Sequence, residues 1–390
     1  GEIYNYVELR EELRRLGHEF TTESDTEVLL AAYGEWGEAV VSRLDGMFAF
    51  AIWDERQRSL HLVRDRYGIK PLYYTLVSGA SGRKLLFASE IKGLLAHPET
   101  RRELDPSALV EYFTFQNLFR SGTLMAGIDL LEAGSHLVVR ETDRELRKPD
   151  RYWDWSFREE LRDDESELTE ELDRLFHQAV RRQLVADVEV GSYLSGGIDS
   201  GAVTAVAAIH TDHLRTFTAG FDLHSASGVE LTYDEREEAE YLSYLLGTEH
   251  YEVVLKSGDM ERAMSRLATH VEEPRVGQSY PNFYVAGLAS RFAPVVLSGT
   301  GGDELFGGYP WRYYRAVVND DFDHYISNYY EFWQRLVPAE DFDALIAPLG
   351  GAYGHAPLED FRAVFAQPLA ELMGPEDYIN QSLYFEANTF

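Results

Sequence analysis

Hydrophobic and polar positions follow two different patterns along the chain. In the first 150 residues, alternating runs at 46–54 and 59–64 flank four polar residues, which predicts a β-hairpin. Further strands are predicted at 72–76, 84–89 and 136–140, and helices at 6–16 and 25–36. Hairpins with helices at their ends are typical of an α+β domain.

In the second half of the chain, predicted strands alternate with predicted helices. The pattern predicts strands at 187–194, 214–221, 249–255 and 293–297, and helices at 200–210 and 234–246. Such alternation indicates a parallel sheet in an α/β domain. The polar stretch 141–167 predicts the boundary, with domains at 1–150 and 165–390 and with Trp153 and Trp155 packed against the protein.

The junction between the strand at 187–194 and the next helix carries the sequence SGGIDS, residues 195–200. Its glycines allow a sharp turn, so that amides, two hydroxyls and the positive end of the helix converge on one point, which suits a phosphate. Asp199 would repel that phosphate unless Mg²⁺ lies between them. The motif therefore predicts metal-bound nucleotide, and the alternative is an ordinary Gly-Ser turn before a buried helix.

A second glycine-rich loop, SGTGGDELFGGY at 298–309, also follows a predicted strand. Loops at the carboxyl ends of parallel strands meet over one crevice, so Asp303 is expected to share the metal with Asp199. The alternative is that Asp303 and Glu304 cap a helix that begins near Leu305. Both roles are compatible.

Composition excludes some classes of partner. The chain has 36 basic and 67 acidic residues and a net charge of −31, which opposes binding to nucleic acid and to anionic membranes. Only five of its basic residues are lysines and 31 are arginines. Few lysines together with a large acidic excess would suit a protein that stays soluble in high salt, and neutral drift is the alternative. The chain has no cysteine, and its twelve histidines show no metal-ligand spacing.

Six motifs in order resemble the glutamine-hydrolysing asparagine synthetases over almost the whole chain. They are GEIYN at 1–5, SDTE at 24–27, RDRYGIKPLYY at 64–74, SEIK at 89–92 and the two glycine-rich loops. The first of these loops resembles the PP-loop of ATP pyrophosphatases. The resemblance implies an α+β N-terminal-nucleophile glutaminase domain (αββα, incomplete). An α/β PP-loop ATP pyrophosphatase domain, similar to the adenine nucleotide α-hydrolases, is implied to follow it.

The same resemblance implies a function. It is the ATP- and Mg²⁺-dependent amidation of aspartate to asparagine through a β-aspartyl-AMP intermediate, with release of AMP and pyrophosphate. Ammonia would come from glutamine through an internal tunnel. The implied partners are these small molecules, and neither nucleic acid nor a membrane is among them. The implied location is the cytoplasm, and the resemblance leaves undecided whether the protein forms a homodimer.

Residue by residue, the resemblance implies two sites. In the glutaminase half, Gly1 would serve the oxyanion hole, while Glu2 and Asp25 would hold the substrate ammonium. The alternatives are a surface role for Glu2 and an N-cap role for Asp25. In the synthetase half, Asp199 and Asp303 would bind magnesium, and Asp199, Ser200 and Thr300 occupy catalytic positions. The implied ATP-binding residues are Tyr193, Leu194, Ser195, Gly196, Gly197, Asp199, Ser200, Ala219, Ser298 and Gly299.

Three departures from the family pattern qualify these expectations. The sequence begins inside the family's Asn-Gly-Glu motif and lacks the cysteine nucleophile, so we expect a truncated start and no glutamine hydrolysis by this segment. It ends at Phe390, where the family continues and supplies a lysine. Thr300 stands where the family usually has glutamate, which leaves the acceptor open.

Two alternatives to asparagine synthesis follow from these departures. One is a related ATP-dependent amidotransferase that acts on a different carboxylate. The other is a nucleotide-binding relative without catalysis. Asp199, Ser200 and Asp303 favour an enzyme, because a protein that no longer handled pyrophosphate would need none of them.

Overall fold

The chain forms two compact units in a computed structural model. Unit 1 comprises 1–156 and 326–370, and unit 2 comprises 157–325 and 371–390. The contiguous domains 1–150 and 165–390 differ from this grouping and stay a prediction. The structure describes residues 1–80, 82–119, 121–143, 145–155, 164–225, 233–273, 279–312, 321–333, 337, 341, 344, 345, 347, 357–366 and 378–389.

Unit 1 is built on antiparallel strands. They are β1 (Glu2–Ile3), β2 (Gly46–Met47), β3 (Ala49–Asp54), β4 (Ser59–Arg64), β5 (Tyr73–Gly79), β6 (Gly82–Ala88), β7 (Asp129–Leu130), β8 (Ser135–Arg140) and β9 (Asp150–Arg151). The predicted hairpin is confirmed, since β3 pairs with β4. The predicted strand 46–54 is divided, because its first two residues pair with β1 instead. The strands predicted at 72–76 and 84–89 are shifted to β5 and β6 and form a second hairpin.

The helices of unit 1 pack against this framework. They are α1 (Tyr6–Arg15), α2 (Asp25–Trp36), a 3-10 helix (Gly37–Arg43), α3 (Ile91–Leu95), α4 (Pro106–Phe115) and a helix at Pro357–Ala366. Leu13, Val28 and Ala32 bring α1 and α2 into one buried cluster with Phe48 and Ile52. The N-cap of α2 is Ser24, whose side chain accepts a hydrogen bond from the Thr26 amide. The N-cap alternative for Asp25 is therefore wrong, and its carboxylate is available for other contacts.

The RDRYGIKPLYY motif forms a tight loop around Asp65. This fully buried carboxylate accepts hydrogen bonds from the amides of Phe48, Tyr67, Ile69 and Lys70 at 3.0–3.1 Å. The motif therefore has a structural role, because it joins the start of β3 to the turn after β4.

We expect Asp65→Ala to destabilise unit 1 by roughly 3 kcal/mol or more, because four amides lose a charged acceptor in a buried place. Urea unfolding of the purified protein measures this loss. Asp150→Ala, at an exposed position of β9, should change the free energy of unfolding by less than about 0.5 kcal/mol. Equal stability of the two variants would contradict the role of Asp65.

Unit 2 contains the predicted parallel sheet. Its strands are β10 (Val190–Tyr193), β11 (Arg215–Phe221), β12 (Glu249–Leu255) and β13 (Val295–Leu297), in the order β12-β11-β10-β13 with every pairing parallel. The helices are α5 (Glu165–Gln183), α6 (Ile198–His210), α7 (Arg236–Leu246), α8 (Asp259–Val271), α9 (Ser279–Ala289) and α10 (Gly302–Phe306). A further helix of unit 2 lies at Tyr378–Thr389, and the helix Phe322–Trp333 begins in unit 2 and continues into the residues of unit 1.

Two separate hydrophobic clusters stabilise the sheet of unit 2. One joins α5 and α6 through Val180, Val206 and Ala207, and the other joins α9 to β11 through Val285 and Phe217. Helices therefore cover the sheet through distinct clusters, as the alternating pattern of strands and helices predicts.

Several element bounds differ from the sequence prediction. The strand at 187–194 shortens to β10 and the one at 293–297 to β13, while the helix expected from residue 200 begins at Ile198. The helix near Leu305 begins at Gly302. Helix α5 begins inside the predicted linker 141–167, because the Asp164 carboxylate accepts hydrogen bonds from two amides of its first turn. Residues 144 and 156–163 of that linker lie outside the described residues.

The predicted packing of the two linker tryptophans is confirmed. Trp153 and Trp155 have ring centroids 4.9 Å apart, and each contacts Tyr67 of unit 1. Among the described residues, no helix has both the length and the apolar character needed to cross a membrane.

Candidate active site

The SGGIDS segment forms a closed turn between β10 and α6. The Ser195 amide donates to Ser200 Oγ at 3.0 Å, the two serine hydroxyls are 2.8 Å apart, and the Gly197 amide donates to Ser195 Oγ at 3.1 Å. Gly197 is the N-cap of α6 and offers no side-chain acceptor to the first turn. The positive end of α6 therefore faces this turn, as an anion site requires.

The second glycine-rich loop lies directly against the first. A Cβ atom added at Gly299 would lie 2.5 Å from the Ser200 amide nitrogen and 2.7 Å from the Asp199 carbonyl carbon. A Cβ atom at Gly302 would lie 2.3 Å from Cγ of Asp199. Only residues without side chains permit this approach, which brings the two loops together at the carboxyl end of the sheet, as predicted.

Asp199 and Asp303 lie close enough to influence each other. The Asp303 amide donates a hydrogen bond to the Asp199 carboxylate. Burial raises the pKa of Asp199, and the negative charges of Asp303 and Glu304 raise it further. Three carboxylates thus share a small volume in which the ionised form of Asp199 is disfavoured.

This donor set fits a magnesium ion whose coordination shell is completed by phosphate oxygens. Within the ranges that the structure describes, no three histidine or carboxylate side chains are arranged to hold a metal by themselves. Mg²⁺ commonly uses one or two carboxylates together with substrate phosphates, so Asp199 and Asp303 are sufficient. The capping alternative is wrong, because α10 begins at Gly302 with Gly301 as its N-cap and without a side-chain cap hydrogen bond; Asp303 and Glu304 lie in its first turn.

The raised pKa of Asp199 gives a prediction for pH dependence. A carboxyl group whose pKa is higher in the folded protein makes folding less favourable as pH rises from the ordinary value to the raised one. We expect Asp303→Asn to lower the pKa of Asp199 and to weaken this decline in stability, because one of the repelling charges is removed.

The pKa of Asp199 can be followed by carboxyl-carbon NMR of the protein without metal, together with unfolding measurements across pH. Asp187→Asn, at an exposed position before β10, is the matched control and should leave the Asp199 titration unchanged. An unchanged titration in Asp303→Asn would show that the two carboxylates do not interact.

Three of the residues predicted to bind ATP lie beside this turn. The Leu194 amide donates to the Phe217 carbonyl at 3.0 Å, and its carbonyl accepts from the Thr218 hydroxyl. Tyr193 and Ala219 belong to the cluster around Phe217. Because backbone groups alternate along a strand, Ala219 directs its amide and carbonyl to the same side as Phe217, beyond the last residue of β10.

Thr300 and Ser298 form a local pair in the second loop. Their hydroxyls are 2.8 Å apart, and the Thr300 amide donates to Ser298 Oγ at 3.2 Å. Thr300 is exposed and uncharged. It follows Gly299 in the loop and offers a hydroxyl at the position where the resemblance implies a glutamate.

Two residues of the site were missed by sequence reasoning. The Glu235 carboxylate accepts from the Gly196 amide at 3.2 Å, and the Tyr309 hydroxyl donates to Glu304 at 2.8 Å with the Arg312 guanidinium 3.8 Å above its ring. The GGY at the end of the second loop was a signal for Tyr309. No spacing signal points to Glu235, because it is 39 residues from Gly196.

The predicted glutamine-binding residues are brought together within unit 1. The Asp25 carboxylate accepts from the Ile3 amide at 3.1 Å, so the start of α2 lies beside β1, which contains Glu2. A Cβ atom at Gly1 would lie 2.8 Å from Cα of Phe48. Strand β1 thus connects all three predicted residues, as a single pocket would require.

Comparison with known proteins decides the family. The asparagine synthase profile matches residues 171–390, which is more than half of the chain, and a glutamine amidotransferase domain profile matches residues 1–153. The chain belongs to the asparagine synthase family. The predicted order of a glutamine amidotransferase domain and an asparagine synthase domain is thereby confirmed.

Several asparagine synthetases are similar to the chain in sequence. Over 310 residues the chain is 37% identical to asparagine synthetase (glutamine-hydrolyzing) 1 of Bacillus subtilis strain 168, with 79% of this chain and 47% of the relative covered. Identity to synthetase 3 of that strain is 36% over 340 residues, covering 83% and 53%. A putative asparagine synthetase (glutamine-hydrolyzing) of Mycobacterium tuberculosis H37Rv is 38% identical over 316 residues, covering 79% and 47%. The chain spans about half the length of these curated relatives.

Proposed function

We propose that this protein is an asparagine synthetase, an ATP-dependent carbon–nitrogen ligase that transfers ammonia from glutamine to the β-carboxylate of aspartate. Beyond membership of the family, we propose this activity, these substrates and a cytoplasmic location. The observation that carries it is the pair of interlocked loops, in which the turn at 195–200 meets Gly299 and the Asp199–Asp303 pair. That arrangement combines an anion site with carboxylates suited to a metal.

In the first chemical step, an oxygen of the aspartate β-carboxylate attacks the α-phosphorus of ATP. The bond from that phosphorus to the bridging oxygen breaks, and its electron pair leaves on pyrophosphate. The Gly196 amide and the Ser200 hydroxyl would donate to the leaving oxygens, with the positive end of α6 behind them. Positioning and electrostatics therefore supply most of the catalysis.

Magnesium, held by Asp199 and Asp303, would offset the charge of the departing pyrophosphate. Without a cation, these carboxylates would repel the phosphates. Other residues predicted to bind ATP would hold the rest of the nucleotide, namely Tyr193, Leu194, Ser195, Ala219, Ser298 and Gly299.

In the second step, the ammonia nitrogen attacks the carbonyl carbon of β-aspartyl-AMP. AMP leaves with the electron pair of the carbon–oxygen bond, and the proton of the new amide is released to solvent. Thr300 is the position from which a side chain would contact the acylated phosphate. Its neutral hydroxyl lowers the negative charge there by one relative to the usual glutamate.

We further propose that residues 1–150 are part of an N-terminal-nucleophile glutaminase domain whose pocket includes Gly1, Glu2 and Asp25. The approach of Gly1 to Phe48 favours an oxyanion-hole role for its backbone, and the Asp25 contact to β1 favours a shared ammonium site with Glu2. Ammonia as the nitrogen source allows the synthetase step to be measured independently of this half.

The test is pyrophosphate release by the complete protein supplied with ATP, Mg²⁺ and ammonia, across a panel of carboxylate acceptors. We expect release with aspartate, accompanied by equal amounts of AMP and asparagine. Release with another carboxylate instead of aspartate would identify a related amidotransferase. Nucleotide binding without release would indicate a relative that has lost catalysis.

A further inference from the structure

Glu235 already occupies one of the amides that the proposed function assigns to pyrophosphate. Its Oε2 atom accepts from the Gly196 amide at 3.2 Å. Glu235 is the N-cap of α7, and the first turn of that helix lies against the loop, since a Cβ atom at Gly196 would be 2.9 Å from Cβ of Glu238. A side chain at position 196 would therefore displace this turn.

The residues on both sides of Glu235 are fixed to the end of β11. Asp234 accepts from the Phe221 amide at 3.2 Å, and Arg236 donates to the Phe221 carbonyl at 2.9 Å. Arg236 and Asp234 form an ion pair at 2.8 Å, which lowers the pKa of Asp234. The carboxylate offsets the positive charge of the guanidinium. The backbone at Glu235 is thereby held beside the loop, and the cation next to it is already paired.

A carboxylate and a phosphate cannot share this amide. A backbone amide has one proton to donate, and two anions at hydrogen-bond distance from it repel each other. Asp199, Asp303 and Glu304 add further negative charge on the other side of the turn. A phosphate that binds the Gly196 amide must therefore displace Glu235.

We propose that Glu235 is an internal competitor of the nucleotide's pyrophosphate for the Gly196 amide. It acts as a positioning residue that keeps the amide turned inward until metal-bound nucleotide replaces it. The proposal rests on the proposed function of the loop. If Glu235 competes in this way, nucleotide without metal should bind more weakly than metal-bound nucleotide. Such a ligand brings no cation to offset the negative charges of Glu235 and the neighbouring carboxylates.

Calorimetric titration of the complete protein with Mg²⁺–pyrophosphate and Mg²⁺–ATP tests this competition. We expect Glu235→Ala to bind Mg²⁺–pyrophosphate about threefold to tenfold more tightly, the effect of removing one competing hydrogen bond. Glu235→Gln keeps an uncharged acceptor and should fall between the wild type and Glu235→Ala. The KM for ATP should fall in Glu235→Ala without an increase in kcat.

Glu238→Ala is the matched control, because it removes an acidic side chain next to Gly196 and keeps the hydrogen bond of Glu235. Its affinity for Mg²⁺–pyrophosphate should change by less than about twofold. Hydrogen exchange at the Gly196 amide, measured without ligand, should become faster in Glu235→Ala and remain unchanged in Glu238→Ala.

The possible results separate the two proposals. Unchanged or weaker binding by Glu235→Ala, or an equal gain in Glu238→Ala, would overturn the competition while the proposed function stands. A wild-type protein that binds neither ligand would overturn the proposed function, and the competition with it. In that case, the exchange rates would still show whether Glu235 holds the amide.

Discussion

Asp199→Ala is expected to reduce pyrophosphate release by about a hundredfold to a thousandfold in the complete protein, the range seen when a group that stabilises developing charge is lost. The physical reason is the position of this carboxylate, which is in the first turn of α6 and accepts a hydrogen bond from the Asp303 amide. Its loss removes one of the two proposed metal ligands. The measurement is coupled detection of pyrophosphate with ATP, Mg²⁺, ammonia and aspartate.

The same variant should retain its stability, which separates a functional role from a structural one. Because the pKa of Asp199 is raised, its ionised form is unfavourable in the folded protein, and its removal should not lower the free energy of unfolding at neutral pH. Asp212→Ala, at an exposed position after α6, is the control and should keep full activity. Normal pyrophosphate release by Asp199→Ala would refute the assignment of the site.

Gly299→Ala should weaken ATP binding by about fivefold to a hundredfold, since a methyl group added in a tightly packed place costs roughly 1–3 kcal/mol. The added methyl group would lie 2.5 Å from the Ser200 amide nitrogen and 2.9 Å from its Cα, and backbone atoms cannot move away as a flexible side chain can. The two loops must therefore separate, which moves the Asp199–Asp303 pair away from the turn. Calorimetric titration with Mg²⁺–ATP gives the affinity.

Gly287→Ala provides a matched glycine substitution in the same unit. This exposed glycine is in the last turn of α9 with open space around it, so alanine should stabilise the protein by up to about 1 kcal/mol and leave ATP binding unchanged. Equal ATP affinity in Gly299→Ala and the wild type would show that contact between the loops is not needed for binding.

Much of unit 2 could be predicted from its sequence, because strand-like segments alternate with helices that have clear ends. Gly247, for example, ends α7 in a left-handed conformation, directly after the predicted helix 234–246. The short strands were predicted too long, since residues 187–189 and 293–294 precede the first paired residues, Val190 and Val295. Helix α5 was missed because the polar residues that cap a helix are also those of a linker.

In unit 1, the local alternation of the sequence predicted the hairpins, but only tertiary contacts decided which other strands pair with them. The run 46–54 is one strand by its alternation, yet Gly46 and Met47 pair with Glu2 and Ile3 more than forty residues away. A Cβ atom at Gly46 would lie 2.2 Å from the Glu2 carbonyl oxygen, so the glycine is required by a contact that no local pattern reveals.

By itself, the sequence determined the two glycine-rich loops, their place after strands and the chemical types of Ser195, Asp199, Ser200 and Asp303. These are local properties of a strand, a turn and a helix start. Only the tertiary structure decided which groups meet: Gly299 against Ser200, Asp303 against Asp199, and Glu235 on the Gly196 amide. The physical reason is that such contacts depend on the order of strands in the sheet and on the close approach of backbones, and both arise from packing between residues far apart in the chain.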